Sequence, residues 1–187
     1  MSDPPGPGCV TGRFQPVHGD HLRLMRRALD ERGALVVAIT NPDPGSRHAD
    51  PRSAHRHRDD ANPLTYWQRA ELLRAALAAP APDGLGPGAA AEVRIVPFDL
   101  GRPEHWAGYV PLEAVQYVGV AGDWEREKAR RLAGAGYRVR EVTPPPWPRR
   151  SGTAIRAAMR GGGDWEAMVP PATVAPLRAL LAGGAFT

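Results

Sequence analysis

Val10-Thr11-Gly12-Arg13-Phe14-Gln15-Pro16-Val17-His18-Gly19-Asp20-His21-Leu22-Arg23-Leu24-Met25-Arg26-Arg27-Ala28-Leu29 decides the reading of this chain. It follows Cys9 as a short apolar run, turns at Gly12-Arg13 and passes through a loop stiffened by Pro16. It then enters a segment with Leu22, Met25 and Leu29 at helical spacing and Arg23, Arg26 and Arg27 between them. The expected order is strand, glycine turn, loop, helix, with Gly12 permitting a close backbone turn. His18 and His21 flank the helix start and point towards one place. That place is the open end of a strand beside a helix N-terminus, where amides and the helix dipole suit a phosphate.

Outward from this stretch, residues 1 to 8 are rich in Pro and Gly and are expected to be a disordered tail. A single domain is expected from 9 to 187. Strand one is expected at Cys9 to Thr11, and helix one from about His21 to Arg32, ended by Gly33. Leu35 to Thr40 is a continuous apolar run, the mark of a buried parallel strand, which completes a right-handed βαβ unit. Residues 41 to 61 hold Pro42, Pro44, Pro51 and Gly45 among Arg and Asp side chains, with no periodicity, and read as a long basic loop. His48, His55 and His57 lack Cys or Glu partners at closed-zinc spacing, so a solvated loop is expected there. Its other reading is a lid over bound phosphates.

Thr65 is placed to cap a helix whose apolar face is Leu72, Leu73, Ala76 and Leu77. Residues 80 to 91 read as a linker, Glu92 to Phe98 as a strand, and Arg102 to Val110 as a short helical piece. Val115 to Ala121 and Tyr137 to Val142 read as strands around a helix from Trp124 to Ala133. Ser151 and Thr153 open a helix reaching about Arg160, and a closing helix from Thr173 to Ala182 is expected to cover the sheet. The fold class is therefore α/β, a Rossmann-like parallel sheet with helices on both faces. Such sheets place ligands at the carboxyl ends of strands, where Gly122, Asp123 and Trp124 fall.

Composition narrows the function class. At 187 residues with 42% apolar and 24% charged side chains, the chain reads as a globular domain. No apolar run reaches a membrane-spanning length and the N-terminus lacks a signal peptide's apolar stretch, so no membrane partner and a cytoplasmic location are expected. The one cysteine, Cys9, excludes an internal disulfide and reads as packing in a core strand. The net charge is +4, nearly all of it from arginine, with Lys128 the single lysine. No DNA- or RNA-binding signature accompanies the basic excess, so nucleic acid is not an expected partner; a polyanionic nucleotide is.

The opening stretch resembles the signature of the nucleotidylyltransferase superfamily that carries a His-x-Gly-His motif, with Asp20 where the family has its glycine. Gly12-Arg13-Phe14-Gln15-Pro16 through His18 is most similar to the archaeal type of nicotinamide mononucleotide adenylyltransferase. Downstream, Ser151-Gly152-Thr153-Ala154-Ile155-Arg156 resembles the family's Ile-Ser-x-Thr-x-x-Arg motif, with Arg150 at the apolar position. Asn62-Pro63-Leu64-Thr65 with Gln68-Arg69 is similar to its Asn-Pro-Phe-Thr-x-x-Glu-Arg helix. Ala61 stands where archaeal relatives carry a triphosphate-binding arginine, which Arg56 or Arg58 could replace.

The resemblance implies transfer of a nucleoside monophosphate from a triphosphate to a small anionic acceptor, with release of pyrophosphate. It implies His18, His21, Arg13 and Arg156 as catalytic groups. It also implies Gly12, Arg13, Phe14, His18, His21, Ser151, Gly152, Thr153 and Arg156 as the nucleotide site, and Trp106, Gly122, Asp123 and Trp124 as the acceptor site. It implies Mg²⁺ held by phosphate oxygens rather than by side chains, and a homo-oligomer. Ile39 to Pro44 and Asn62 to Trp67 are similar to the cytidylyltransferase domain of fosfomycin-type phosphonate biosynthesis, which favours CTP and a phosphonate. The archaeal adenylyltransferase, using ATP and nicotinamide mononucleotide, is the alternative; a non-catalytic nucleotide-binding protein is a second.

Overall fold

The computed structural model describes residues 6–53, 56–144 and 150–186. Five strands, β1 (Gly8–Gly12), β2 (Leu35–Thr40), β3 (Val93–Phe98), β4 (Val115–Gly119) and β5 (Arg138–Val142), form one parallel sheet in the order β3-β2-β1-β4-β5. The helices are α1 (Gly19–Arg32), α2 (Tyr66–Ala78), the short α3 (Pro87–Ala90), α4 (Asp123–Gly134), α5 (Gly152–Gly161) and α6 (Pro171–Ala182).

The two-residue period of a strand divides its side chains between two cores. Val10 of β1, with Val37 and Ile39 of β2 and Tyr117 of β4, packs with Met25 and Leu29 of α1, Leu73 and Leu77 of α2 and Ile155 of α5. Cys9, Val36, Ala38 and Val118 alternate with these and pack on the other face with Trp106, Ala129 and Leu132 of α4, and Tyr137. A sheet buried on both faces reads as continuous apolar runs, which is why Leu35–Thr40 carries no polar residue but its last threonine.

The strand order reverses at β1, whose two neighbours are β2 and β4. The β1–β2 ladder runs the whole length of β1, from Gly8↔Leu35 to Gly12↔Ile39. The β1–β4 ladder holds only Gly8↔Val115 and Cys9↔Gln116. The strands therefore part at their carboxyl ends, and the crevice of a doubly wound sheet opens there.

Four expectations are corrected. The tail is shorter, because Pro7 O accepts from Val115 N at 2.9 Å, Gly6 O accepts from Arg32 Nε at 2.9 Å, and Gly8 is already in β1; residues 1–5 lie outside the described residues. Helix α1 begins at Gly19, two residues earlier, with His18 as its N-cap. The closing helix α6 packs principally on α2 instead of on the sheet, whose face there is already covered by α1 and α2. The 41–61 segment is docked rather than solvated. Its 3-10 turns, Pro44–Ser46 and Asp59–Ala61, bury Ser46 and Ala61, and Asp50, Arg52 and Arg56 pair with Arg131, Glu127 and Glu125 of α4.

Candidate active site

A cleft of about 560 Å³ occupies the crevice between the carboxyl ends of β1 and β4 and the N-termini of α1 and α5. All nine residues expected to hold the nucleotide line it: Gly12, Arg13, Phe14, His18, His21, Ser151, Gly152, Thr153 and Arg156. Their positions follow from local rules. Glycine stands at position 12 because a Cβ there would lie 2.9 Å from the Phe14 ring. Phe14 takes a left-handed backbone, φ 51°, a conformation that strains a bulky side chain and that is kept where the surroundings impose it. Its ring meets His21 edge-on at 4.9 Å, and His18 stacks on the other imidazole at 3.7 Å. His21 is thus held between two rings.

Its tautomer follows from one hydrogen bond. The His18 backbone N–H donates to His21 Nδ1 at 3.3 Å. Neutral His21 then carries its proton on Nε2, which makes that nitrogen a donor. Opposite, Ser151 caps α5 by accepting from Ala154 N at 3.1 Å. Arg156, one turn on and 3% exposed, donates to Gln15 O at 2.8 Å and Thr153 Oγ1 at 3.3 Å. Gly152 allows that approach, since a Cβ would lie 2.9 Å from Gln15 O and 3.1 Å from Arg156 Nη1. Asp20, in the position of the family glycine, accepts from Arg150 N at 3.0 Å and pairs with Arg23, so it ties α1 to the residue before the α5 N-cap.

Two buried struts hold this arrangement. Gln15 clamps Leu64, donating from Nε2 to its carbonyl at 2.9 Å and accepting its N–H at 3.0 Å. Arg69 of α2, 1% exposed, donates to the carbonyls of Arg13, Thr40, Asn41 and Thr65 at 2.7 to 3.2 Å. A planar guanidinium with five donors is the one side chain that can bridge so many acceptors. Burial lowers its pKa to about 10, with Arg47 adding to the effect.

The electrostatics favour a polyanion. Arg13, Arg56, Lys128 and Arg156 all line the cleft; Asp20 and Glu125 are the acids beside them. Arg13 is lowered to about 9, first by burial and then by Arg56, Arg156 and Arg69. Lys128 is lowered to about 8, by burial and then by Arg56, against Glu125 and Cys9. Arg156 is lowered too, by burial before Arg160 and Arg56. Mutually repelling cations at one strand end cost stability until an anion arrives. Arg13 is steered by the docked loop, through Arg56 O at 3.4 Å and Ala61 O at 3.0 Å. Arg56 reaches the cleft where Ala61 has no charge to offer, whereas Arg58 pairs with Asp60 on the surface. Among the described residues no three His, Cys, Asp or Glu side chains converge as metal ligands. His48 pairs with Asp99 at 3.1 Å, and His55 lies outside the described residues.

Of the four residues expected at the acceptor, only Trp124 lines the cleft. Trp106 is placed elsewhere: it is 2% exposed, stacks on Phe98 at 5.2 Å and donates to Asp99 O at 2.6 Å inside the second core. Gly122 caps α4, and Asp123 is exposed and paired with Arg126 at 2.9 Å. Sequence reasoning did not find Glu125 and Lys128. Their signal was helical spacing, because Lys128 lies four residues from Trp124 and three from Glu125 on α4, the separations that bring side chains together. A smaller pocket of about 80 Å³ adjoins the cleft at Arg13, Arg56 and Trp124, walled by the loop residues Ser46 to Ser53 and by Arg131.

The chain is 35% identical over 172 residues to a phosphonoformate cytidylyltransferase of Streptomyces viridochromogenes, a match covering 89% of this chain and 88% of that one. It is 30% identical over 180 residues to a nicotinamide-nucleotide adenylyltransferase of Pyrobaculum neutrophilum, covering 93% and 87%. Among solved structures it resembles a bifunctional NMN adenylyltransferase/ADP ribose pyrophosphatase from Francisella tularensis with a TM-score of 0.67 at 14% identity. That match covers 97% of this chain and 51% of the other, so the chain spans about half its length. The same Francisella protein with AMP and a manganese ion gives a TM-score of 0.62 at 16% identity. These structural likenesses bear on the fold. No family model matches the chain.

Proposed function

The chain belongs to the nucleotidylyltransferase superfamily, and from that premise we propose that it transfers a cytidylyl group from CTP to a small phosphonate, releasing pyrophosphate. The carrying observation is the gathering of Arg13 and Arg156 with the His18–His21 pair where β1 and β4 part.

A phosphonate oxygen attacks the α-phosphorus in line as the bond to the β-phosphate oxygen breaks. The phosphonate is already ionised near neutral pH, so no general base is needed. The protein's task is to position two anions and to offset their repulsion. His21 Nε2–H donates to an α-phosphate oxygen as charge builds there. His18, Arg13 and Arg156, with the N-terminus of α5, where Ser151 takes up only the Ala154 amide, hold the β- and γ-phosphates. Mg²⁺ would be held by the triphosphate itself and would offset phosphate charge there, since the cleft lining offers donors and only two carboxylates, Asp20 and Glu125.

The alternative, adenylyl transfer to nicotinamide mononucleotide, draws on relatives of that name at 30% identity. Two features favour the phosphonate. Trp106 is buried in the core, so it offers no face to a nicotinamide ring. The Trp124 ring has the Arg56 guanidinium over it at 4.9 Å and Arg131 at 5.7 Å, where a cationic pyridinium would meet two like charges.

The test is pyrophosphate release from purified protein with Mg²⁺. CTP and ATP are each offered with phosphonoformate, 2-hydroxyethylphosphonate and nicotinamide mononucleotide. Release with CTP and a phosphonate, exceeding every other pairing at least tenfold in kcat/KM, is expected. Preference for ATP with nicotinamide mononucleotide would overturn the phosphonate reading.

A further inference from the structure

Arginine supplies every basic Lys or Arg position of this chain except one. The exception, Lys128, lies inside the cleft on α4, four residues from Trp124 and three from Glu125, both of which also line it. A lysine ammonium is a compact point charge with three donors, where arginine presents a wide planar fork.

The surroundings define what that ammonium can do. Lys128 Nζ donates to Thr11 O at 3.0 Å. That carbonyl lies past the last β1–β4 pair, Cys9↔Gln116, where the crevice opens. An ammonium has three donors, so two remain for a ligand in the cleft. Arg56 reaches the same end from the loop, 3.8 Å from Glu125 and over the Trp124 ring. The opposite end, with His18, His21 and the α5 N-terminus, is matched to the triphosphate. The α4 end therefore faces the acceptor with two cations, Arg56 and Lys128, one for each acid group of an acceptor that carries a carboxylate beside its phosphonate.

We infer that Lys128 binds a carboxylate on the acceptor, and that it selects phosphonates bearing a second acid group over simple alkyl phosphonates. The inference rests on the reading of the cleft as a site of transfer to a phosphonate. Lys128 is then a residue kept at the expense of stability. Its partly buried ammonium, lowered to about 8 by burial and by Arg56, is disfavoured in the free protein and restored by an incoming anion.

Two measurements on the full chain test this. In the first, kcat/KM with CTP is measured for phosphonoformate and methylphosphonate in the wild type and Lys128→Met. A loss of about 10- to 100-fold is expected with phosphonoformate, the worth of a charged hydrogen bond, with under threefold loss for methylphosphonate and an unchanged or raised Tm. Equal losses for both acceptors with a lowered Tm would make Lys128 a structural strut and overturn the assignment. In the second, the wild type is treated with an amine-reactive reagent and modification of Lys128, the only side-chain amine, is followed by mass spectrometry. Phosphonoformate should slow its labelling at least fivefold and methylphosphonate should not; an identical rate with and without phosphonoformate would overturn it. If neither phosphonate turns over, the proposed function falls, while the labelling still decides Lys128.

Discussion

His21 concentrates the argument at the scale of single residues. Its ring is fixed between Phe14 and His18 and its tautomer by the His18 amide, so its Nε2 proton is aimed before substrate arrives. Removing one pre-aimed donor to transition-state charge costs about 10²- to 10³-fold in kcat. His21→Ala should show that loss in pyrophosphate release, with KM for CTP changed by under about threefold; unchanged turnover would remove His21 from the reaction. Gly152→Ala reports on packing instead. Its Cβ would press on Gln15 O and Arg156 Nη1, so a stability loss of about 1–3 kcal/mol is expected by denaturant unfolding, with a raised KM for CTP. That the residues expected at the nucleotide would line one cleft was legible in the sequence through two motifs, Gly12 to His21 and Ser151 to Arg156, that resemble those of a known family. Trp106 was not. An aromatic side chain's role depends on which face of the sheet it meets, and that is settled by Phe98 at the end of β3 and by Tyr137, far along the chain.

Elements matter through the struts that join them. Arg69 links α2 to the ends of β1 and β2 through three carbonyls outside its own helix. Arg69→Leu leaves these acceptors buried and unpaired, with an expected cost of about 3 kcal/mol or more, read as a lowered denaturation midpoint. Arg69→Lys should recover little, since an ammonium cannot span the same acceptors; full recovery would show that charge rather than geometry is what the site uses. Helices and strands with internal periodicity were expected within one or two residues of where they lie. The 41–61 segment has no period. It is held by ion pairs to α4, more than 65 positions away, and by hydrogen bonds from Arg13 and Arg160 to its carbonyls, relations no local pattern carries. Its reading as solvated failed for that reason, and with it the recognition that Arg56 belongs to the cleft.

The charge balance of the whole molecule has a sign that can be checked. Arg13 and Lys128 have folded-state pKa values below their unfolded ones, so near pH 8 to 9 the unfolded chain holds more protons and stability rises with pH. Above about 9 the trend is opposed, because burial raises Cys9, Tyr117 and Tyr137 to about 12 and the unfolded chain loses those protons first. A triphosphate restores the charge on Arg13, so the rise in Tm produced by saturating CTP should be largest at pH 8 and shrink as pH passes 9. A CTP-induced rise that grows with pH across that window would contradict the cation cluster as the nucleotide site.

Class of fold and location of the site at the strand ends were both legible, because alternating elements admit few arrangements and doubly wound sheets open where their order reverses. Which acceptor enters depends on the far wall of the cleft, built from α4 and the docked loop. That wall is assembled only when the whole chain has folded.

The most direct measurement follows the phosphorus atoms. CTP, phosphonoformate, Mg²⁺ and catalytic protein are observed by ³¹P NMR. The account predicts pyrophosphate and a coupled pair of signals from a new phosphonate–α-phosphate anhydride, appearing in equal amounts as CTP and phosphonoformate disappear together. CTP that binds yet stays intact beside unreacted phosphonoformate, or that yields only CMP or CDP, would contradict it.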